Sequence, residues 1–390
     1  METEKLFYED CHQKTFTAQV LHCEETEKGY AVVLDQTAFY PEGGGQACDL
    51  GSLHDASVLD VREKGETIVH LCDRPLSGTV TGTIDWARRF DQMQQHAGEH
   101  IVSGLIHKKY GWHNVGFHVG ADVVTIDFDG PIPAEELAQI EKQANEAVWQ
   151  NLDIRCWYPS REELPTIAYR SKKALPWPVR IVEVPGIDRC ACCGVHVKKT
   201  GEIGLIKLFS CVKFHQGVRI EMACGGKALS MLSRVYDQNR LVSQAFSAKV
   251  LETGAAAQRM NEMLAQEKFR STALERKLFG IIAESYAGKG NVLHFEEKLP
   301  PNGVRELAEI IAGDCGGIAA VLSGEDGGYS VCLACPGGDV KTLGNEMAKA
   351  LDGRGGGKPG FFQGSVKASR RQVEEFFQRV GFDTYVIKNR

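Results

Sequence analysis

The chain has 390 residues, 43% of them hydrophobic and 25% charged, with a formal net charge of -6. That length exceeds what one hydrophobic core usually spans, so two to four domains are expected, and the acidic balance removes any bulk electrostatic case for nucleic-acid binding, leaving only local contact. The N-terminus has no apolar core flanked by basic residues and no apolar run is long enough to cross a bilayer, so neither an export signal nor a membrane span is expected; the 13 scattered cysteines then read as reduced thiols of a cytoplasmic protein.

Residues 16–84 alternate short β-prone runs with Gly, Asp and Pro turns, which predicts a small antiparallel barrel or sandwich occupying residues 1–86. Inside it lies TAFYPEGGGQ, residues 37–46, where Gly43, Gly44 and Gly45 cannot hold a regular strand. A tight hairpin and a ligand-facing loop both fit this run, with Thr37 and Gln46 flanking it as uncharged hydrogen-bonding groups. Residues 91–104, DQMQQHAGEHIVSG, predict a helix on which His96 and His100 share one face. A strand pair over 116–130, an amphipathic helix over 133–151 and further strands at 179–186 and 203–224 complete an α+β domain at 87–225.

Residues 226–288 change character, with apolar residues at helical spacing in two sets either side of LETG (251–254). This predicts a helical hairpin or coiled-coil arm, a natural surface for a homodimer. Alternating strands and helices return over 289–390, predicting a C-terminal α/β domain. The fold class expected is therefore α+β multidomain. GGGK at 355–358 is not a phosphate loop, because Asp352 stands where the first glycine should be and Pro359 follows Lys358, although a backbone nest for another anion stays open. Two basic patches, at 170–173 (RSKK) and at Lys358, Lys367, Arg370, Arg371 and Arg379, are candidate phosphate contacts.

The helix histidines make half a metal site, and Cys192 and His196, in DRCACCGVHV, repeat the four-residue spacing. Two His joined to a Cys/His pair form a borderline-soft N/S ligand set, which suits zinc better than magnesium, calcium or manganese. With three ligands and an open position, zinc would polarise a carbonyl or activate water; with all four residues bound it would be closed and anchor the site. HAGEH also fits the HxxEH pattern of a zinc metallopeptidase with Glu99 as general base, and a closed shell fits a non-catalytic zinc-containing RNA-binding protein.

The segments TAFYPEGGGQ (37–46), HAGEH (96–100), CCGVH (192–196) and GGGKP (355–359) together resemble the editing half of alanyl-tRNA synthetases and the freestanding alanyl-tRNA editing proteins in their long form, with a C-terminal domain of the DHHA1 type. The resemblance covers nearly the whole chain. It implies a zinc-dependent trans-editing hydrolase that removes serine, or glycine, wrongly esterified to tRNA(Ala), acting on the acceptor end. It also implies zinc ligation by His96, His100, Cys192 and His196, and substrate recognition by Thr37, with Gln46 close by. Val195 departs from the family's usual threonine, and Glu99 from a more frequent uncharged residue.

Overall fold

The computed structural model describes residues 2–171 and 177–382. Two compact units emerge, Met1–Ala245 and Phe246–Arg390. The first opens with six strands: β1 (Thr15–Thr26), β2 (Gly29–Leu34), β3 (Gly51–Leu53), β4 (Ala56–Lys64), β5 (Thr67–Cys72) and β6 (Thr79–Ile84). They pair in the order β1-β2-β5-β4-β3-β6, and β6 returns to β1 to close a barrel. Alternation carries this: in β6 every second residue of TVTGTI is buried, and Val32, Leu34, Val61 and Ile68 fill the interior with no exposed surface.

Helix α1 (Trp86–Tyr110) follows at once, and it is longer than the histidine pattern alone predicts. Its start is set by Asp85, whose side chain accepts from the Arg88 amide, and its end by Gly111 in a left-handed conformation after His107, Lys108 and Lys109. Met93, Ala97, Ile101 and Ile106 of α1 are fully buried. They pack against a four-stranded antiparallel sheet of β7 (Asn114–Val119), β8 (Val124–Phe128), β12 (Ile206–Phe214) and β13 (Gly217–Cys224), in the order β12-β13-β8-β7. Helix α2 (Leu137–Trp149) adds Ile140, Ala144 and Val148 to the same core. A separate three-stranded sheet, β9 (Arg155–Trp157), β10 (Ile181–Val184) and β11 (Asp188–Ala191), leads into the CCG turn. Helix α3 (Gly225–Ala245) ends the unit.

The second unit begins with the 33-residue helix α4 (Thr253–Ser285). Its C-terminal turns place Phe279 and Ala283 in a core with Val304, Leu307 and Ile311 of α5 (Pro301–Cys315). Beside these lie β14 (Gly290–Glu296), β15 (Gly316–Glu325) and β16 (Gly328–Ala334). Helix α6 (Lys341–Ala350), β17 (Arg354–Lys358), β18 (Phe361–Val366) and α7 (Arg370–Arg379) complete a five-stranded sheet in the order β14-β15-β16-β18-β17. GGGK is part of edge strand β17, paired antiparallel to β18, so it forms neither a phosphate loop nor an anion nest. In the C-terminal basic patch, Arg370 and Arg371 are engaged with Glu374 and Glu375 one turn along α7.

One buried ion pair fastens α1 to the barrel. Arg89, with no exposed surface, donates from Nε to both carboxylate oxygens of Asp49 at 2.9 Å, and from its terminal nitrogens to Asp49, to the Ala38 carbonyl and to the Cys11 carbonyl. Asp49 in turn accepts from the Tyr40 amide at 2.6 Å. Removing one partner strands the other as an uncompensated buried charge, so Asp49→Ala should destabilise the first unit by about 3–5 kcal/mol. Urea unfolding of the variant measures this; a loss under about 1 kcal/mol, the scale of an exposed pair, would show that the pair fastens nothing.

Candidate metal centre

Four donor side chains predicted from two distant segments meet at one point. His96 and His100 come from adjacent turns of α1, and Cys192 and His196 from the turn after β11; their ligand atoms all lie within 4.8 Å of one another. The ring centroid of His196 sits 4.5 Å from that of His96 and 4.6 Å from that of His100, and the Cys192 sulfur is 3.4 Å from His96 Nε2. Two glycines permit this approach. A Cβ at Gly104 would lie 2.6 Å from the Asp188 Cβ, and one at Gly194 would lie 2.2 Å from the His96 ring.

The outer nitrogens of two rings are spoken for. His96 Nδ1 donates to Gln46 Oε1 at 2.9 Å, and His100 Nδ1 to Asp188 Oδ2 at 2.9 Å. Both acceptors are oxygens, so each Nδ1 carries the proton and each Nε2 presents a lone pair inward, the tautomer a metal ligand needs. Asp188 is itself gripped by the Arg170 fork, Nε to Oδ1 at 2.7 Å and Nη2 to Oδ2 at 2.9 Å. Burial would raise the Asp188 pKa, but the hydrogen bonds from His100 and Arg170 outweigh it and hold the carboxyl below its usual range. Burial would likewise lower His100, and the bond to Asp188, with Cys190 and Glu99 nearby, raises it instead.

His196 is different. Both its ring nitrogens are buried without a hydrogen-bond partner among the described residues, and burial beside His96 and His100 pushes its pKa well below the ordinary value. A buried polar group left unpaired is costly, and here the pair of orphaned nitrogens sits within a ring of N and S donors. The residues therefore fit a cation with a taste for imidazole and thiolate.

Beside the donors is a cavity of about 140 Å³ lined by Gly44, Glu99, Arg170, Cys190 and Cys193 together with the two α1 histidines. The Gly-rich run forms a tight turn, in which Gly43 and Gln46 exchange two backbone hydrogen bonds, and Gly44 lines the cavity. Glu99 is buried at the cavity wall, its Oε1 accepting from Ser103 Oγ at 2.6 Å and from Asn114, its Oε2 4.0 Å from His100 Nε2.

Gln46 thus joins the four donors, and Thr37 does not. Thr37 is fully buried in the barrel and absent from the described cavity lining; its Oγ1 lies 2.9 Å from His70 Nε2 and accepts from the Phe39 amide at 3.1 Å. His70 donates from Nδ1 to the Val32 carbonyl, and burial drops its pKa to about 4, so its neutral Nε2 takes the Thr37 hydroxyl proton. In the 170–173 patch, Arg170 is engaged with Asp188 and not with solvent, while Lys172 and Lys173 lie outside the described residues.

Sequence reasoning missed the support of the metal turn. Arg180 Nη1 donates to the carbonyls of Cys192 (3.0 Å) and Gly194 (2.7 Å), and Tyr8 donates its hydroxyl to the carbonyl between them, that of Cys193, at 2.6 Å. The guanidinium lies 4.6 Å over the Tyr8 ring. Three consecutive carbonyls are drawn to one side, which leaves the Cys192 sulfur to the other. No local pattern marks Tyr8, 185 positions from its partner.

Residues 1–88 match the family model for class II (A) tRNA synthetases, and 179–236 match the threonyl and alanyl tRNA synthetase second additional domain. Among relatives, alanyl-tRNA editing protein Aarsd1-B of Xenopus laevis is 28% identical over 95% of this chain and 96% of its own, and Aarsd1 of Mus musculus 29% identical over 94% of each. The alanine–tRNA ligase of Ignicoccus hospitalis is 31% identical over 91% of this chain, which spans only 40% of that enzyme. The chain is thus similar over nearly its whole length to alanyl-tRNA editing proteins. The second matched segment contains β10, β11 and the metal turn, and the first contains the barrel with its Gly-rich loop. The clamp on that turn is measurable: Tyr8→Phe removes one hydrogen bond and should cost about 1 kcal/mol, seen as a fall in Tm of roughly 2–4 °C for the first unit. An unchanged Tm would show that Tyr8 leaves the turn as it is.

Proposed function

We propose that the chain is a trans-editing ester hydrolase that deacylates Ser-tRNA(Ala) or Gly-tRNA(Ala), with zinc held by His96, His100, Cys192 and His196. The observation that carries this reading is the convergence of those four donors, with both nitrogens of His196 orphaned, on a cavity walled by the Gly44 loop. Named alanyl-tRNA editing relatives that match end to end support the substrate class.

Zinc held by all four residues would be coordinatively closed, so it would anchor the site and supply a fixed positive charge beside the ester. The chain's own residues do the rest. Gln46 and Asp188 fix the tautomers of His96 and His100, and Arg170 absorbs the Asp188 charge so that it is not presented to an anionic substrate. The tight turn at 43–46 and the buried cavity wall limit the aminoacyl group to a small side chain and restrict bulk water. Selective hydrolysis is needed because a synthesis pocket for alanine rejects a near-isostere that merely adds a hydroxyl by only about a hundredfold. Thr37, held by His70 in the barrel, acts on selectivity through the 37–46 loop it anchors. The four segments 1–86, 87–225, 226–288 and 289–390 divide the work as barrel, editing core, arm and C-terminal DHHA1-like domain, in a cytoplasmic setting.

A second reading has one observation in its favour: Glu99 reaches the cavity wall near His100, where an HxxEH peptidase keeps its general base. One set of assays separates the readings. The purified protein should carry stoichiometric zinc by elemental analysis, lose it in His96→Ala, and release serine from Ser-tRNA(Ala) on the order of a hundredfold faster than alanine from Ala-tRNA(Ala). Glu99→Gln should keep most of that activity. Serine loss no faster than in buffer would instead favour a non-catalytic zinc protein, and peptide hydrolysis abolished in Glu99→Gln would favour the peptidase.

The arm also carries a proposal. Along α4, Met260, Leu264, Leu274, Leu278 and Ile281 are exposed and fall on the alternating four-three spacing of a coiled-coil seam, interrupted by Glu267 and Ser271. A homodimer through this seam accounts for them. Light scattering should give twice the chain mass for the native protein and the monomer mass for the double variant Leu274→Glu, Leu278→Glu; a native monomer would dismiss the seam.

A further inference from the structure

The edge of the sheet that delivers Cys192 also delivers an exposed aromatic ring. In the β9-β10-β11 sheet, Trp157 pairs with Ile181 and Ile181 with Ala191. One position further along, Tyr158, Arg180 and Cys192 fall in a row, and the Cys192 amide still donates to the Arg180 carbonyl at 3.0 Å. Two strand spacings put the Tyr158 backbone about 10 Å from that of Cys192. That is the reach of an ester-bearing ribose and its base.

Tyr158 is 50% exposed. Its ring meets the ring of Tyr8 edge-on at 6.4 Å, and Tyr8 is bonded to the Cys193 carbonyl at the cavity rim, so one edge of Tyr158 is fixed while the rest of the ring faces solvent. Three residues on, Arg161 lies over the ring of Trp177 at 5.4 Å, and Trp177 is itself 41% exposed. Neither Arg161 nor Arg180 has a carboxylate partner among the described residues. Arg62, Arg74, Arg305 and Arg371, by contrast, each have one. Two half-exposed aromatic faces with the Arg161 guanidinium between them, and Arg180 buried beneath, are the makings of a site for single-stranded nucleic acid, in which bases stack and a cation takes the backbone.

We infer that Tyr158, with the Arg161–Trp177 pair beyond it, is the platform for the single-stranded 3′ end of the tRNA: the terminal base stacks on Tyr158, and the preceding nucleotides run over Trp177 with Arg161 against a phosphate. The inference rests on the proposed function for the identity of the nucleic acid, and it adds what holds that nucleic acid in register with the cavity. It explains how an acidic protein takes an RNA end without a broad basic face. Tyr8 serves two elements at once, bracing the stacking ring and the metal turn.

The test uses the full-length protein and an unacylated RNA hairpin with a single-stranded CCA end whose terminal adenine is replaced by 2-aminopurine. Native protein should quench the probe, and Tyr158→Phe should quench it equally. Tyr158→Ala should abolish the quenching and bind about tenfold more weakly, within the range that base–aromatic stacking contributes. Arg161→Gln should lower the slope of log affinity against log salt by about 0.7, one phosphate contact on a single strand. In deacylation, Tyr158→Ala should raise KM and leave kcat near native. Quenching in Tyr158→Ala equal to native, or native protein that never quenches, overturns the inference. Because the probe carries no ester, a protein that quenches it but does not deacylate Ser-tRNA(Ala) refutes the proposed reaction and leaves the platform standing.

Discussion

The geometry of the site depends on the contact between Arg89 and Asp49. Helix α1 carries both histidines, but a helix can rotate or slide on a barrel unless something directional stops it. Arg89 supplies the direction, because its planar fork satisfies Asp49, Ala38 and Cys11 at once and no other rotation of the helix about its axis would do so. The two acceptors Ala38 and Asp49 lie within and just beyond the Gly-rich run, on either side of Gln46. Seven residues along the helix, two turns, the same face presents His96 to Gln46. The helix and the loop are therefore positioned against each other twice, once by charge and once by the hydrogen bond that sets the ring tautomer.

Around the donors, each ring is treated differently, and the differences have a physical order. His100 leans on a carboxylate that is neutralised by Arg170, His96 on a neutral amide, and His196 on nothing. A carboxylate behind an imidazole increases its basicity, an amide does less, and an unsupported imidazole least. Burial first, and then the two neighbouring imidazoles, drive His196 toward the neutral form. A pocket with one strongly held, one moderately held and one unsupported ring is graded, and the ring with no outer partner is the one whose orientation only an occupant of the centre would hold.

Much of this was open to reading from the residues. The four-residue spacings of His96 with His100 and of Cys192 with His196 express helix geometry and turn geometry, both local, and local periodicity survives folding unchanged. Gln46 was legible as a polar group flanking glycines. What could not be read were pairings set by the topology of the sheets: Asp188 with His100, 88 positions apart, Arg170 with Asp188 across a loop, and Tyr8 with Cys193 across most of the unit. Arg170 belonged to a run of cations that looked solvated, and only the fold turns it inward. Thr37 illustrates the reverse, since a hydroxyl beside a glycine loop suggests a ligand contact, yet strand alternation sends it into the barrel toward His70. GGGK, rejected as a phosphate loop but left open as an anion nest, follows a similar logic: glycines tolerated for a loop are equally demanded where a strand lies close against Phe361 and Phe362, as Gly355 and Gly357 do.

The same long-range pairings explain how charge is distributed over the surface near the site. Arg170, Arg89 and Arg219 are engaged by buried or half-buried carboxylates, so they hold the fold and contribute little field outside it. Arg180 and Arg161 are set against rings instead, and a ring satisfies a guanidinium without cancelling its charge. Positive charge thereby stays uncancelled at the edge where β9, β10 and β11 end beside the metal turn. Charge sorting of this kind needs no excess of lysine and arginine in the composition. It needs only that the carboxylates be spent elsewhere, which Asp49, Asp127 and Asp188 are.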